Sequence, residues 1–453
     1  MIKRKKDNEI RRFFLKGKRA LLVTGARQVG KTYSIRQVGK ACFEHFIEIN
    51  FVEKPEALAL FSEAEGAEDL LLRLSAFVKR QLVPGKTLIF FDEVQECKEM
   101  VTAIKFLVDE GSYRYVMSGS LLGVELKDIR SVPVGYIDEL EMHPVDLEEF
   151  AMAIGIGKEV MSHLKDCYEQ QKPVDKFIHG RMLELVRHYL LVGGMPAAVQ
   201  KFIDTNNLRQ VLDEQRSIIR TYKRDITKYD PEHKLQIEEI YDLIPSELDA
   251  KNKRFVMKEL GEKARFSRYE SGFLWLKDAG VSIPTYNVEE PRVPLLLNKQ
   301  RNLFKLFLSD VGLLAAMYGG NIQVRLLSND VNINYGAIYE NLVAQELNAH
   351  GFAMGHGLYY FNSKKQGELD FVIEKDGSVL PIEVKSGKNF ERHRALSNVM
   401  QNEEYAIAQA IVFCQDNVQT KEKVTYLPIY MVMFVQQEQA EELISKFDLT
   451  GLS

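Results

Sequence analysis

Gly25-Ala26-Arg27-Gln28-Val29-Gly30-Lys31-Thr32 is the stretch whose reading decides the fold. It fits G-x-x-x-x-G-K-[ST], and its flanks suit that pattern. Arg19 to Thr24 (RALLVT) reads as a short buried strand, and Tyr33 to Lys40 (YSIRQVGK) continues as a helix ending near Gly39. The two glycines let the backbone turn tightly, so that successive N–H groups point inward at a helix start, where the partial positive charge favours an anion. Lys31 adds a full charge for β- and γ-phosphates, and the Thr32 hydroxyl is placed to ligate Mg²⁺. The expected ligand of residues 25–32 is therefore ATP with Mg²⁺.

Outward from that loop, strands alternate with helices. Glu44 to Asn50 (EHFIEIN) alternates as a strand, and Ala67 to Leu82 is an amphipathic helix ended by Pro84-Gly85. Lys86 to Glu93 (KTLIFFDE) is an apolar run closing on two acids. A buried strand there carries Asp92 to the C-terminal edge of a parallel sheet, where it can hold Mg²⁺ through water, while Glu93 can activate the attacking water. A helix from Lys98 to Asp109 precedes Tyr113 to Ser120 (YRYVMSGS), a strand ending in small polar residues. Ser118 or Ser120 would lie between the two motifs and can sense a γ-phosphate, ordinary turn chemistry being the plain alternative. The expectation is a doubly wound parallel-sheet α/β domain over residues 1–150.

Whole-chain properties narrow the class. At 453 residues the chain should divide into two to four domains, and its composition, 45% hydrophobic and 27% charged, is that of a soluble globular protein. Cys42, Cys97, Cys167 and Cys414 are far apart, which argues against a zinc site or a disulfide framework and suits a reducing cytoplasm. No apolar run of signal-peptide type follows Arg12, and no stretch of about 18 uncharged apolar residues occurs, so no membrane role is expected. A net charge of −4 gives no global pull on nucleic acid. The one strongly basic segment, Lys3 to Arg19, with nine Lys or Arg against two acids, reads first as a solvated helical face.

GARQVGKT, LIFFDEVQ, YVMSGSLLG, SVPVGYIDELEMHPVDLEEF and LVGGMPAAV occur here in an order that resembles a group of prokaryotic AAA-type P-loop ATPases carrying a C-terminal nuclease-like domain of unknown function. The resemblance covers nearly the whole chain. It implies that Lys31, Thr32, Asp92, Glu93 and Ser120 take the roles given above, and that Leu191 to Val199 is a lid over the nucleotide. Where relatives commonly read Gly-Arg after Pro-Val, this chain has Gly135-Tyr136, so no arginine finger is assigned there. Arg130 and Arg220 are substitutes at best.

Residues 151–250 read as a helical lid region broken at Gly193-Gly194 and Pro245. Residues 251–330 read as winged-helix-like. Their expected parts are a helix from Val256 to Lys263, a turn, a Ser267-capped helix to Ala279, Gly280 as its C-cap and a strand from Val281 to Tyr286. Arg265, Arg268 and Lys277 could meet a DNA groove, although packing is the commoner use of such a module.

Residues 331–453 carry a second constellation. Gly336 to Gly351 is a helix bearing Glu340 and Glu346. The strands Glu368 to Glu374 (ELDFVIE) and Val379 to Lys385 (VLPIEVK) are joined at Asp376-Gly377, a strong hairpin-turn signal. Period-two alternation puts Glu383 and Lys385 on one face, and hairpin pairing brings Asp370 to them. Two carboxylates and a lysine there suit a Mg²⁺ site for phosphodiester hydrolysis, with Glu340 as a further carboxylate. With a following helix (Arg392 to Gln401) and the strand Ala410 to Cys414, the region resembles the PD-(D/E)xK nuclease superfamily, which implies a restriction-endonuclease-like α/β fold.

The expected function is thus an ATPase coupling nucleotide state to a metal-dependent nuclease-like module in DNA processing or defence. Its alternative is an ATP-switched scaffold whose nuclease fold only binds nucleic acid or protein. ATP and Mg²⁺ are the expected cofactors, DNA or RNA a candidate partner, and a homo-oligomer a candidate assembly.

Overall fold

β1 (Ala20–Thr24), β2 (His45–Asn50), β3 (Thr87–Asp92), β4 (Arg114–Ser118) and β5 (Ile137–Glu141) form one parallel sheet in the order β2-β3-β4-β1-β5. The computed structural model describes residues 2–62, 64–79, 81–120, 135–250, 252–261, 264–319, 325, 336–353, 356–387 and 389–437. Strand side chains alternate between faces, and here both faces are covered. Leu21, Val23, Leu88, Phe90 and Val116 pack with α1 (Lys6–Lys16) and α2 (Lys31–Cys42), while Leu22, Ile89, Phe91 and Met117 pack with α3 (Ala67–Val78) and α4 (Lys98–Glu110). A sheet sandwiched in this way needs apolar residues at successive positions, which is why RALLVT and TLIFF read as continuous runs.

The next segment is helical: α5 (Leu147–Ala153), α6 (Lys158–Glu169), α7 (Lys176–Val192), α8 (Pro196–Thr205), α9 (Leu208–Tyr229) and α10 (Lys234–Asp249). A reciprocal capping box of Asp146 and Glu149 starts α5. The break at Gly193-Gly194 lies between α7 and α8, and a Cβ on Gly194 would lie 2.1 Å from the Val145 carbonyl oxygen. Pro245 makes no break. It sits inside α10 with Ile244 and Leu248 buried beside it, so packing outweighs the one missing N–H, and the Tyr318 hydroxyl donates to its carbonyl at 2.9 Å.

The winged-helix expectation is corrected in its parts. A short 3₁₀ turn, Met257–Leu260, stands in the expected first helix, of which Lys263 lies outside the described residues. The second helix, α11 (Phe266–Asp278), follows Arg265 with no side-chain cap, so Ser267 is no N-cap. The expected wing strand is β6 (Ser282–Val288), buried along nearly its whole length in a larger sheet.

That sheet has eight strands in the order β12-β13-β11-β10-β9-β8-β6-β7. Its other members are β7 (Lys299–Leu308), β8 (Leu358–Ser363), β9 (Gly367–Lys375), β10 (Ser378–Val384), β11 (Ala410–Cys414), β12 (Gln419–Lys421) and β13 (Val424–Pro428). It is mixed: β6/β8, β10/β11 and β11/β13 are parallel and the other pairs antiparallel. Residues 282–308 thus belong to the same sheet as residues 358–428. Three helices accompany it, α12 (Val311–Tyr318), α13 (Gly336–Ala349) and α14 (Arg394–Met400). Every residue of α13 from Ala337 to Leu347 is buried, and one apolar core runs from the middle helices through α13 to a face of the sheet.

All four cysteines are free thiols. Among the described residues no helix is long and apolar enough to cross a membrane.

Candidate nucleotide site and C-terminal acidic cluster

The loop after β1 has the backbone its glycines allow. Gly25, Gln28 and Gly30 all have positive φ, at 125°, 66° and 97°. A Cβ on Gly25 would fall 2.1 Å from the Met142 carbonyl oxygen, so only glycine fits there. α2 begins at Lys31, and the Lys31 ammonium donates to the Gly25 and Ala26 carbonyls at 2.9 Å each. Burial pulls its pKa down to about 8, against the attraction of Glu93 and Asp92.

The sheet order sets the acids beside this loop. β4 lies between β1 and β3, and Ser118 is level with Val23 on one side and Asp92 on the other. Asp92 is nearly inaccessible and accepts four hydrogen bonds: from Thr32 Oγ1 at 3.2 Å, Asn50 Nδ2 at 3.1 Å, the Glu93 N–H at 3.1 Å and the Ser118 hydroxyl. Burial raises its pKa, and the Ser118 and Thr32 hydrogen bonds oppose that. Glu93 adopts a left-handed backbone, φ 56°, and its carboxylate accepts from Gln95 Nε2 at 2.5 Å and Ser120 Oγ at 3.3 Å. Thr32 and Asp92 are hard oxygen donors of the kind Mg²⁺ takes.

Several residues join this site from outside the motifs. Arg4 donates to the Val29 carbonyl at 2.8 Å, the His143 carbonyl at 2.6 Å and Glu149 at 2.9 Å, locking the N-terminal arm against the loop. The basic segment is therefore not purely a solvated face. A cavity of about 360 Å³ opens beside Gly30, walled by Ile2 and Arg4, by Tyr33 and Ser34 of α2, and by Pro196, Ala197 and Gln200 of α8. From α9, Asp225 pairs with the Arg27 guanidinium, Tyr222 donates to the Arg27 carbonyl at 3.2 Å, and Lys228 pairs with Glu96 at 2.8 Å. Asn50, Gln95, Arg4 and Asp225 carry no local sequence signature. Of the substitutes for an arginine finger, Arg220 is exposed on α9 and Arg130 lies outside the described residues.

The structure brings the C-terminal residues together. The β9–β10 register pairs Phe371 with Ile382, so one step further Asp370 faces Glu383 on the same side of the sheet. Asp370 accepts the Val384 N–H at 2.8 Å, and Lys385 donates to Glu383 at 2.6 Å. Burial and then Asp370 push the Glu383 carboxyl up to about 8, with Lys385 pulling the other way. Burial works against the Lys385 charge, yet Glu383 and Asp370 raise its pKa. Lys253, Glu340, Asp370 and Lys385 share the wall of a cavity of about 410 Å³.

Glu340 itself, buried on α13, meets ammonium groups as well as Asp370. It is held by Lys253 and lies 3.9 Å from the fully buried Lys305, which also pairs with Glu368 at 2.6 Å. Burial and then Asp370 raise the Glu340 pKa, with Lys305 and Lys253 pulling the other way. Among the described residues no three His, Cys, Asp or Glu side chains are grouped to hold a metal ion.

Comparison with known proteins matches three regions. Residues 17–151 match an AAA domain, residues 183–323 a domain of unknown function (DUF8612), and residues 335–432 another (DUF4143). Comparison with curated proteins gives no match. Among solved structures, the Walker-type ATPase PABY2304 of Pyrococcus abyssi is 15% identical, with 70% of this chain and 96% of that one covered and a TM-score of 0.43. The Aeropyrum pernix ORC1 protein in complex with DNA is 14% identical over 73% and 93%, with a TM-score of 0.30. Drosophila ORC bound to DNA is 12% identical over 60% and 81%, with a TM-score of 0.29. None of these scores is high enough to define the overall arrangement. With the parallel sheet, the loop at residues 25–32 and the matched AAA domain together, the N-terminal region of this chain is an AAA-type P-loop domain.

Proposed function

We propose that the chain binds ATP with Mg²⁺, hydrolyses it, and passes the nucleotide state to its C-terminal region. The observation that carries this is the contact of Thr32 with Asp92 at 3.2 Å, with Lys31 and Glu93 beside it. Thr32 and Asp92 would hold Mg²⁺, whose charge offsets that of the β- and γ-phosphates when it is bound. Lys31 turns from the loop carbonyls to the phosphates, and Glu93, oriented by Gln95 and Ser120, takes a proton from the attacking water. The cavity between α2 and α8 seats the base, with Pro196 and Ala197 as the lid wall. We assign residues 1–150 to the ATPase unit, 151–250 to a helical lid and 331–453 to a nuclease-like unit in the cytoplasm, whose sheet the strands of the 251–330 segment complete. ATP turnover by the wild type and by Lys31→Ala tests the central reading. Equal turnover in both would sink it.

For the C-terminal cluster, Asp370 facing Glu383 with Lys385 alongside supports phosphodiester hydrolysis assisted by a divalent ion, on DNA or RNA. A second reading, a nuclease-like fold that only binds nucleic acid or protein, is favoured by the pairing of Glu340 with Lys253. Cleavage assays on both nucleic acids with Mg²⁺ or Mn²⁺, with and without ATP, separate them. Cleavage lost in Lys385→Ala supports the first reading, and no cleavage by the wild type leaves the second.

A further inference from the structure

We infer that Asp225 and the γ-phosphate of ATP compete for the Arg27 guanidinium, so that the ion pair between α9 and the phosphate loop opens on triphosphate and re-forms on diphosphate. The inference rests on the ATP-site reading above. It makes Arg27 a γ-phosphate contact supplied by this same chain, and Asp225 the positioning residue that holds it.

Arg27 lies within the loop itself, close enough to Lys31 for its charge to oppose the Lys31 ammonium. Its guanidinium is more than a third exposed, whereas the Asp225 side chain is only 7% exposed. One Asp225 oxygen takes the Arg27 N–H, and the other, Oδ2, is buried with no hydrogen-bond partner. Burial penalises this carboxylate first, Arg27 and Lys228 relieve it, and Glu93 adds repulsion. Asp225 is thus an acid at the edge of a phosphate site, tolerated there through Arg27.

A γ-phosphate carries more negative charge than a carboxylate and offers a guanidinium two oxygens at once. Drawn to it, Arg27 leaves a buried carboxylate uncompensated, which is strongly unfavourable. α9 then has reason to shift or to take up a proton. The Tyr222 hydroxyl on the Arg27 carbonyl keeps the loop backbone in place while the side chain exchanges partners. ADP lacks the competing group and returns Arg27 to Asp225.

The test measures the affinities of the full chain for a non-hydrolysable ATP analogue and for ADP by titration calorimetry. Thermal melting checks each variant for folding. Asp225→Asn keeps the shape and frees Arg27, so preference for the triphosphate should rise about tenfold. Arg27→Gln should lose about that factor for the triphosphate with little change for ADP, and the double variant should match Arg27→Gln alone. Lys223→Ala, which breaks the pair of the same helix with Asp242, should keep the wild-type ratio. A folded Asp225→Asn with the wild-type ratio, effects that add in the double variant, or an equal shift in Lys223→Ala would overturn the inference. If the wild type bound neither nucleotide, or Lys31→Ala bound both as well as the wild type, the ATP-site reading itself would fail and take the inference with it.

Discussion

Asp370 stands opposite Glu383 across the β9–β10 hairpin, and Lys385 reaches the Glu383 carboxylate at 2.6 Å. Burial and then Asp370, against the pull of Lys385, raise the Glu383 pKa to about 8, from the 4.5 of an unfolded chain. Between those values the folded protein binds more protons than the unfolded one. Its contribution to stability is full below about pH 4.5 and is lost as pH rises through about 8. Glu383→Gln should flatten that decline in denaturant midpoints measured from pH 5 to 9. An unchanged slope would show that Glu383 titrates normally.

Lys31 runs in the opposite sense. Its pKa, lowered to about 8, means that the folded protein gives up this proton before the unfolded chain does, so the stability penalty of burying the charge applies below about pH 8 and is relieved above it. Nucleotide binding needs the charged form. ATP affinity should fall by up to about tenfold per pH unit above 8, while Lys31→Ala binds too weakly to measure at any pH. Affinity that stays flat from pH 7 to 9.5 would contradict this.

Glu93→Gln should keep ATP binding and lose turnover by about 10²- to 10⁴-fold, since the amide keeps the contacts to Gln95 and Ser120 but accepts no proton. Ser120→Ala should cost less, because Gln95 still orients the acid. Single-turnover kinetics with labelled ATP would show whether the two losses differ in this order.

Asp310 is fully buried at the start of α12 and accepts the Gly194 N–H at 2.5 Å and the Leu313 N–H at 2.8 Å. Asp310→Ala leaves both donors without a partner and should destabilise the fold by about 2 to 4 kcal/mol in urea denaturation. A loss under about 0.5 kcal/mol would mean that the α7–α8 joint is held by packing alone.

The phosphate loop was legible because its chemistry demands fixed residue types within eight consecutive positions, and Asp376-Gly377 because both residues take the positive φ a tight hairpin requires. The contacts of Glu340 were not legible. Lys253 is remote in sequence, and nothing local to either residue marks the pair. Nor could alternation show which sheet β6 joins, since an apolar run pairs equally well with a small wing or a broad sheet. Arg4 read as one of many surface cations until the fold brought Val29, His143 and Glu149 around it. Whether α9 sits on the phosphate loop is likewise a matter of tertiary docking, which a helical period does not encode.

From Ala337 to Leu347, α13 has no exposed residue. Its Asn341 exchanges hydrogen bonds with the Leu308 backbone, Gln345 bridges Val311 and Tyr189, and Glu346 accepts the Leu147 N–H. A surface helix drifts freely on its outer face, but each position here answers to neighbours in a different region of the chain. The C-terminal region is consequently not interchangeable with that of another protein. A chimera joined near residue 335 would leave an apolar trench and unanswered backbone groups on the helical region, and changes on either side would have to be matched on the other.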